Sequence, residues 1–398
     1  MPNNKLLYIG RFLYLLQHNI LIFIIPVYVY KITGEKSYLG IIFAMEWGVR
    51  LISLSILPSL LKSNNYIKSI YNSNFIQGLI IFSLFYLYYS SNMIFFLISI
   101  GVLSSILFDA NFLYVESHIQ NNLKDKVLES QSLFQSIEQL SLLIGPMLAG
   151  LLIEKCNIIN VFLSIALGYM VAGLLIYLTK KEPSQPNMKK NINSIKRGFY
   201  IILKTQGAIT LIIQTNAINI IFSACISILP AIVLDYKYDS IFLGWVNLFI
   251  SLVSISSIFL YNKIVSEKEY HSSQFINKLF YIIYVGIIAS FFQYFSENMY
   301  LTITFISITV IADSIYSVAL RTKRQLMFNT NEFKNVLPAM MLLNAISFPI
   351  GGILISIFTR FYSAKESVAI VAIISFIFIS IYILLRLYND RRKKLQIF

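Results

Sequence analysis

The feature that most constrains this chain is a series of long apolar runs, a dozen in all, separated by short polar stretches. They cover approximately residues 6–30, 38–61, 69–90, 93–116, 130–153, 158–179, 208–234, 240–262, 275–295, 299–320, 335–358 and 367–387. A helix of about 20 apolar residues crosses the roughly 30 Å hydrocarbon layer of a bilayer. Lipid offers the backbone no hydrogen-bond partners, so a crossing segment must satisfy its own amides as a helix or close into a barrel. Barrel strands alternate in polarity over about ten residues, whereas these runs are twice that length and do not alternate. Only 13% of the residues are charged, against about 25% in a soluble chain, too few to cover a water-facing surface. The expected fold class is an all-α polytopic membrane protein with 12 transmembrane helices. The first run, Leu6 to Tyr30, is too long for a signal-peptide core and has no small-residue cleavage site after it. It reads as the first spanning helix.

The basic residues orient the chain. With alternate crossings, 25 Lys and Arg fall on the side of the termini, Arg11, Lys278 and Arg386 just inside the ends of their runs, and 6 on the opposite side, and Arg50 within span 2 completes the 32. This asymmetry predicts a multi-pass protein of the cell inner (plasma) membrane with both termini cytoplasmic. It also accounts for the net charge of +14 without nucleic acid as a partner. The longest polar stretch holds Pro183, Pro186 and several lysines, and divides the runs six and six. The expected domains are an N-terminal six-helix bundle (1–179), a cytoplasmic linker (180–206) and a C-terminal six-helix bundle (207–398). Cys156 and Cys225 are too few for a disulfide framework.

The halves repeat. At an offset of 204, Pro26 falls on Pro230, Leu39-Gly40 on Leu243-Gly244, and Asp109 on Asp313; at 203, Pro146 falls on Pro349. The same punctuation thus recurs in spans 1 and 7, 2 and 8, 4 and 10, 5 and 11. Parallel six-helix repeats about an axis along the membrane normal are a recurrent transporter architecture.

At this point the chain resembles the major facilitator superfamily over nearly its whole length. Span 1 ends in "IIPVYVYKITG"; span 5 carries "LLIGPMLAGLL", whose Gly145, Pro146 and Gly150 resemble the Gly-Pro motif of antiporter helix 5. Span 11 has the related "FPIGG", and "LRTKRQ" after span 10 resembles the end of helix 10 in drug- and siderophore-exporting members. The chain departs from the family's loop signature between helices 2 and 3. There it reads "PSLLKSNNYIK", with Lys62 in the acidic position and both glycines missing, and Leu97 stands where many antiporters have an arginine. The resemblance implies two six-helix repeats in which helices 3, 6, 9 and 12 face lipid while 1, 4, 7 and 10 line a cavity. Spans 3, 6, 9 and 12 have no ionisable residue in their interiors, in agreement.

An ionisable side chain at membrane depth costs about 2.5 kcal/mol or more and marks a functional site by default. The candidates are Arg11 and His18 in span 1, Glu46 and Arg50 in span 2, Asp109 and Glu116 in span 4, Glu138 in span 5 and Asp313 in span 10. Asp109, Glu138, Asp313 and His18 are the candidates for proton coupling, because a carboxyl in a low-dielectric site binds and releases protons near neutrality and histidine titrates close by. For Asp109 the alternatives are a packing hydrogen bond or a pairing with Arg11, and for His18 a hydrogen-bonding strut. Glu46 and Arg50, four apart, share a helix face and form either a gating or substrate pair or a structural ion pair. Gln131, Gln135 and Glu138 on span 5, and Asn216, Asn219 and Ser223 on span 7, form polar stripes that either line a wet cavity or bond neighbouring helices. Arg11, Gln17, Glu46, Arg50, Gln135, Asn216 and Asn219 are the candidate substrate-cavity residues, and Gly145, Pro146 and Gly150 the candidate gating motif.

No phosphate-binding glycine loop and no cluster of metal-ligand spacing is present in the sequence, so neither cofactor nor metal is expected and ATP does not drive the protein directly. The resemblance implies a monomeric secondary transporter with alternating access, exporting a small amphipathic compound (a drug, a siderophore or a peptide-like product) against inward-moving protons. Uptake of a metabolite by the same fold is the alternative. A non-transporting scaffold or receptor, or a membrane enzyme acting on lipid, belongs to other classes; the loops offer mainly lysines rather than the acids and histidines such an enzyme needs.

Overall fold

The computed structural model describes residues 5–60, 65–87, 93–122, 127–179, 193–265, 267–272, 274–328 and 330–395. Among the described residues all regular structure is helical. In the first half, α1 (Lys5–Thr33), α2 (Ser37–Leu60), α3 (Tyr66–Leu87), α4 (Met93–Asn122), α5 (Val127–Lys155) and α6 (Ile158–Tyr177) correspond to the first six apolar runs. The linker region contains a further helix, α7 (Asn193–Lys204). In the second half follow α8 (Ala208–Asp235), α9 (Ser240–Ile264), a short α10 (Glu267–His271), α11 (Phe275–Phe292), α12 (Met299–Met327), α13 (Thr330–Ala345), α14 (Ser347–Phe358) and α15 (Ala364–Leu395).

Eleven segments among the described residues are long and apolar enough to cross a membrane. The remaining helix of spanning length is α3, whose apolar run is diluted by Asn72, Ser73, Asn74 and Gln77. This completes a twelve-span arrangement. Span 11 is made of two α-helices, α13 and α14, joined at Ile346. Pro349 sits in the first turn of α14, where its missing N–H is tolerated and where it breaks the ladder behind it. Its sequence mate Pro146 instead lies inside an unbroken α5, as Pro26 does in α1 and Pro230 in α8. In the second half, Asn298 caps α12 by accepting the amide of Leu301 at 2.8 Å, satisfying one of the helix's free amides.

The chain divides into two compact units. Unit 1 comprises Met1–Tyr38, Met45–Ile192 and Val233–Ser251; unit 2 comprises Leu39–Ala44, Asn193–Ile232 and Leu252–Phe398. Each unit therefore includes a short segment from the opposite half of the sequence, and these two segments hold the repeated Leu-Gly pair. In unit 1, a Cβ at Gly244 would come within 2.9 Å of the Pro146 carbonyl oxygen and 3.1 Å of Met147 Cα on α5. In unit 2, a Cβ at Gly40 would meet the carbonyl oxygen of Gly352 on α14, and would lie 2.7 Å from the amide nitrogen of Ser356. The repeat mates do the same work: each lets the start of its helix approach the backbone of a proline-containing span. Close approach of backbones through small residues is how helices associate where no hydrophobic force separates them from lipid.

The polar ends of unit 1 are tied by charge. Lys31 at the end of α1 pairs with Glu154 of α5 at 2.6 Å, and Lys36 pairs with Asp235 of α8 at 2.6 Å. Tyr30 donates to Asp235 at 2.7 Å, and the amide of Ser240 donates to Glu154 at 3.2 Å. These groups are part-exposed, so each pair contributes at most about 1 kcal/mol.

Gly48 of α2 has open space where its side chain would be. Gly40→Val is expected to lower the thermal midpoint of the detergent-purified protein, since overpacking against backbone costs about 1–3 kcal/mol. Gly48→Ala is expected to leave it unchanged or raise it, because alanine favours a helix interior over glycine by about 1 kcal/mol. Fluorescence-detected thermal unfolding of both variants checks the contrast.

Candidate functional site within the membrane

Unit 1 gathers five of the ionisable residues singled out in the sequence: Arg11 and His18 from α1, Glu46 and Arg50 from α2, and Asp109 from α4. The helices present them in a shared interior, since α1 and α4 pack together and α2 brings Glu46 against α4. A Cβ on Gly101 of α4 would lie 3.2 Å from the Glu46 carboxylate.

The centre is an ion pair. Arg50 Nε donates to Asp109 Oδ1 at 3.2 Å, with Asp109 2% exposed and the arginine side chain 25% exposed. The guanidinium also lies 4.6 Å from the Trp47 ring and 5.0 Å from the Phe108 ring. Its planar, weakly hydrated cation suits such aromatic company better than a lysine would. Phe108 in turn stacks on His18, ring centroids 4.0 Å apart, and Tyr14 lies parallel to His18 at 6.5 Å. Among the described residues, Asp109 Oδ2, Glu46 Oε1 and His18 Nδ1 are buried without a hydrogen-bond partner. Buried polar atoms are nearly always satisfied, so three in one cluster mark a place where protons or polar ligands can act.

The spacing of Glu46 and Arg50 predicts a pair between them, but the arginine bonds Asp109 instead. The reason is reach: the guanidinium extends along Phe108, the residue before Asp109, and meets the aspartate beyond it. Arg11 likewise does not pair with Asp109. It donates to the side-chain oxygen of Asn111 and lies 5.3 Å from the Tyr14 ring.

Asn111 is the hub of a second layer that the ionisable residues alone did not reveal. Its amide nitrogen donates to Ser73 Oγ at 2.8 Å and to Asn74 Oδ1 at 2.7 Å on α3. Tyr14 donates to Gln77 at 3.1 Å, and Gln77 donates to Tyr169 of α6 at 2.9 Å. The chain of amides and phenols ties α1, α3, α4 and α6 into one frame around the charged cluster. The signal was present as amides at i, i+3 in span 3 (Asn74 and Gln77) and as Asn111 two residues beyond Asp109. Side-chain amides obey the same rule in lipid as charges do, at smaller cost.

The other candidates are placed apart from the cluster. Gln17 packs against Gly168 of α6. Gly145 lets α5 approach α1: a Cβ there would lie 2.7 Å from Asn19 Cβ, and Asn19 donates to Ser141 at 3.0 Å. Pro146 faces Gly244, and Gly150 seats the backbone of Ser240. Glu138 is half-buried on α5, with no ion pair among the described residues. The side chains of Glu116, Gln131 and Gln135 lie outside the described residues. In unit 2, Asn216 donates to the Ile212 carbonyl at 3.0 Å and Asn219 to that of Asn344 at 3.2 Å, beside the break in span 11. Asp313 is half-buried on α12, next to Ser314, which is bonded to Ser254 at 2.6 Å. Among the described residues no group of His, Cys, Asp and Glu is arranged to hold a metal ion.

Twelve spanning helices in two repeats, with an ion pair and a hydrogen-bonded frame buried within the first unit, define a polytopic membrane transporter. The chain belongs to the Major Facilitator Superfamily, whose family model matches residues 7–332. Its fold is similar to the crystal structure of a bacterial homologue of the human lysosomal transporter Spinster in an inward-facing, occupied conformation, with TM-score 0.72, 11% identity, and 96% of this chain and 97% of that one covered. It is equally similar to the nucleoside transporter NupG (TM-score 0.72, 12% identity, 96% and 99% covered). A bacterial homologue of the iron transporter ferroportin in an inward-facing state gives TM-score 0.64 at 13% identity, with 95% and 98% covered. At such identities the likeness concerns the fold alone. No curated protein sequence matches the chain.

Asn111→Ala is expected to strand the Asn74 side-chain oxygen in a buried layer and to remove one acceptor of Arg11. A stranded group costs about 1–3 kcal/mol, so the variant should unfold at a clearly lower temperature while Asn72→Ala, at an exposed position on the same helix as Asn74, should not.

Proposed function

We propose that this transporter is a secondary active one, working by alternating access, and that it exports a small amphipathic compound in exchange for protons. The observation that carries the reading is the Arg50–Asp109 pair, buried on the aspartate side and part-exposed on the arginine side. An ion pair in a low-dielectric interior persists only while both partners are charged, and removing one charge leaves the other uncompensated at a cost of several kcal/mol. Protonation of Asp109 therefore releases Arg50, and the released guanidinium must find new partners. Glu46, one turn away on the same helix with an unsatisfied oxygen, is the nearest candidate on α2. The pair is thus a two-state element whose balance a proton can tip.

In this reading Asp109 is the principal coupling residue, with Glu46 and His18 sharing its site. Glu138 and Asp313 are further coupling candidates. Arg11 sits in the supporting frame rather than in a substrate cavity. The Arg-aromatic face formed by Arg50, Trp47 and Phe108 is the candidate substrate contact. The Lys and Arg asymmetry supports termini in the cytoplasm of a cell whose inner membrane holds the protein.

A second reading rests on the exposed side of Arg50. An anionic substrate held there would bind best when Asp109 is protonated, so proton and substrate would travel together and the protein would take up its substrate. The sign of the coupling separates the two readings.

Asp109→Asn is expected to abolish transport driven by an imposed pH gradient in reconstituted vesicles, while substrate exchange at equal pH persists. This is the pattern of a lost coupling site rather than a lost fold. Full gradient-driven transport in Asp109→Asn would overturn the coupling role. Substrate accumulation that follows the proton inward, rather than opposing it, would replace export by uptake.

A further inference from the structure

The linker helix α7 carries charge and aromatic surface that neither the ion pair nor the transport cycle uses. Its sequence, NSIKRGFYIILK, contains Lys196, Arg197 and Lys204 and no acidic residue. One face is buried in unit 2: Ile202, with Phe199 and Ile201, joins a core made of Ala208, Ile212, Phe328, Val336, Ala339 and Met340. Gly198 lies directly on the α13 backbone, where a Cβ would meet the carbonyl oxygen of Asn335. Gly207, with φ +84°, turns the chain sharply from α7 into α8, a conformation that glycine adopts without strain.

These contacts set the height of the helix. It packs on the beginning of α8, the end of α12 and the beginning of α13. Those are the polar ends of three spanning segments, which run from Ala208, to Arg324 and from Asn335. The helix is therefore held at the level where hydrocarbon gives way to headgroups.

The opposite face is open. At 100° per residue, Leu203, Lys196, Tyr200, Lys204 and Arg197 fall on one arc of the helix. All five are exposed, Tyr200 by 58% and Leu203 by 69%. Lys204 Nζ lies 4.3 Å from the centre of the Tyr200 ring. Three cations thus surround an exposed phenol, with an exposed leucine at the edge of the arc. A free aqueous surface does not favour an exposed leucine and tyrosine side by side. The interface does: the apolar edge dips toward the acyl chains, the phenol sits at headgroup depth, and the cations reach phosphates.

We propose that this face of α7 is a binding site for anionic phospholipid headgroups of the leaflet on the side of the termini. Its occupant is the lipid phosphate, taken by Lys196, Arg197 and Lys204 around Tyr200. Basic residues next to an anionic leaflet are attracted to it, and the attraction acts only within a Debye length of the surface. The position of α7 at the span ends meets that condition. Because α7 is locked to α13 through Gly198, lipid bound on its outer face is coupled to span 11.

The test uses the full chain. Protein extracted from membranes containing phosphatidylglycerol is examined by native mass spectrometry for retained lipid, beside the variant K196Q/R197Q/K204Q. The expected loss of phosphatidylglycerol affinity is on the order of a hundredfold, the product of about fivefold for each cation. Lysine-to-arginine changes at 196 and 204 should preserve retention, and Lys237→Asn, at a turn between α8 and α9, should leave it unchanged. Raising the salt should weaken retention in the parent protein but not in the triple variant. Equal retention by parent and triple variant would overturn the proposal. So would displacement of phosphatidylglycerol by soluble ATP at concentrations that leave the phosphatidylglycerol-free protein saturated with nucleotide, since the face would then be a site for free polyanions.

Discussion

A backbone or side-chain dipole in hydrocarbon has no water to fall back on, and this single constraint organises the molecule. It makes every span a helix, and it forces each polar side chain at depth to find a protein partner. Arg50 finds Asp109 at 3.2 Å; Arg11 finds Asn111, and Asn111 finds α3. In water such groups would be solvated separately and would say little about packing. Here they decide which helices touch. The frame of Tyr14, Gln77, Tyr169 and Asn111 is a consequence of the solvent as much as of the sequence.

The same constraint explains why small residues recur at the contacts. Two apolar helices in lipid gain little from burying leucine against leucine, so close backbone approach and hydrogen bonding supply the association. Gly40 of α2 against α14 and Gly244 of α9 against α5 are the repeated instance. Their positions were matched in the sequence as a Leu-Gly pair 204 residues apart. The structure gives that match a meaning: each glycine abuts the backbone of a span that contains one member of the Pro146 and Pro349 pair. The two prolines are not equivalent, however, since one lies within a continuous helix and the other opens a new one.

The proposed function rests on the cluster where the constraint is not fully met. Asp109, Glu46 and His18 each keep a buried atom without a partner among the described residues. The frame around Asn111, built mainly of neutral amides and phenols, ties helices together, whereas the Arg50–Asp109 pair contains a carboxyl, which in the proposed function is the group that a proton switches. Membership of the Major Facilitator Superfamily establishes the class of transporter, and the remote solved structures show its fold.

Span number, helical class and family were legible in one dimension, because the length of an apolar run and the depth of a charge along it are properties of the chain itself. So were the buried ionisable residues of the cluster: Arg11, His18, Glu46, Arg50 and Asp109 stand out as costly groups wherever their helices go. Their pairing was not legible. The i, i+4 rule joined Glu46 to Arg50, and only the packing of α2 against α4 turned the arginine to Asp109. Gln17 read as part of a polar cluster, yet it packs on Gly168. The linker's composition, with its lysines and prolines, gave no warning that Gly198 seats a helix on α13. Sequence registers the cost of burying a group; which neighbour repays that cost depends on rotation and approach of helices far apart in the chain, and three-dimensional packing alone decides it.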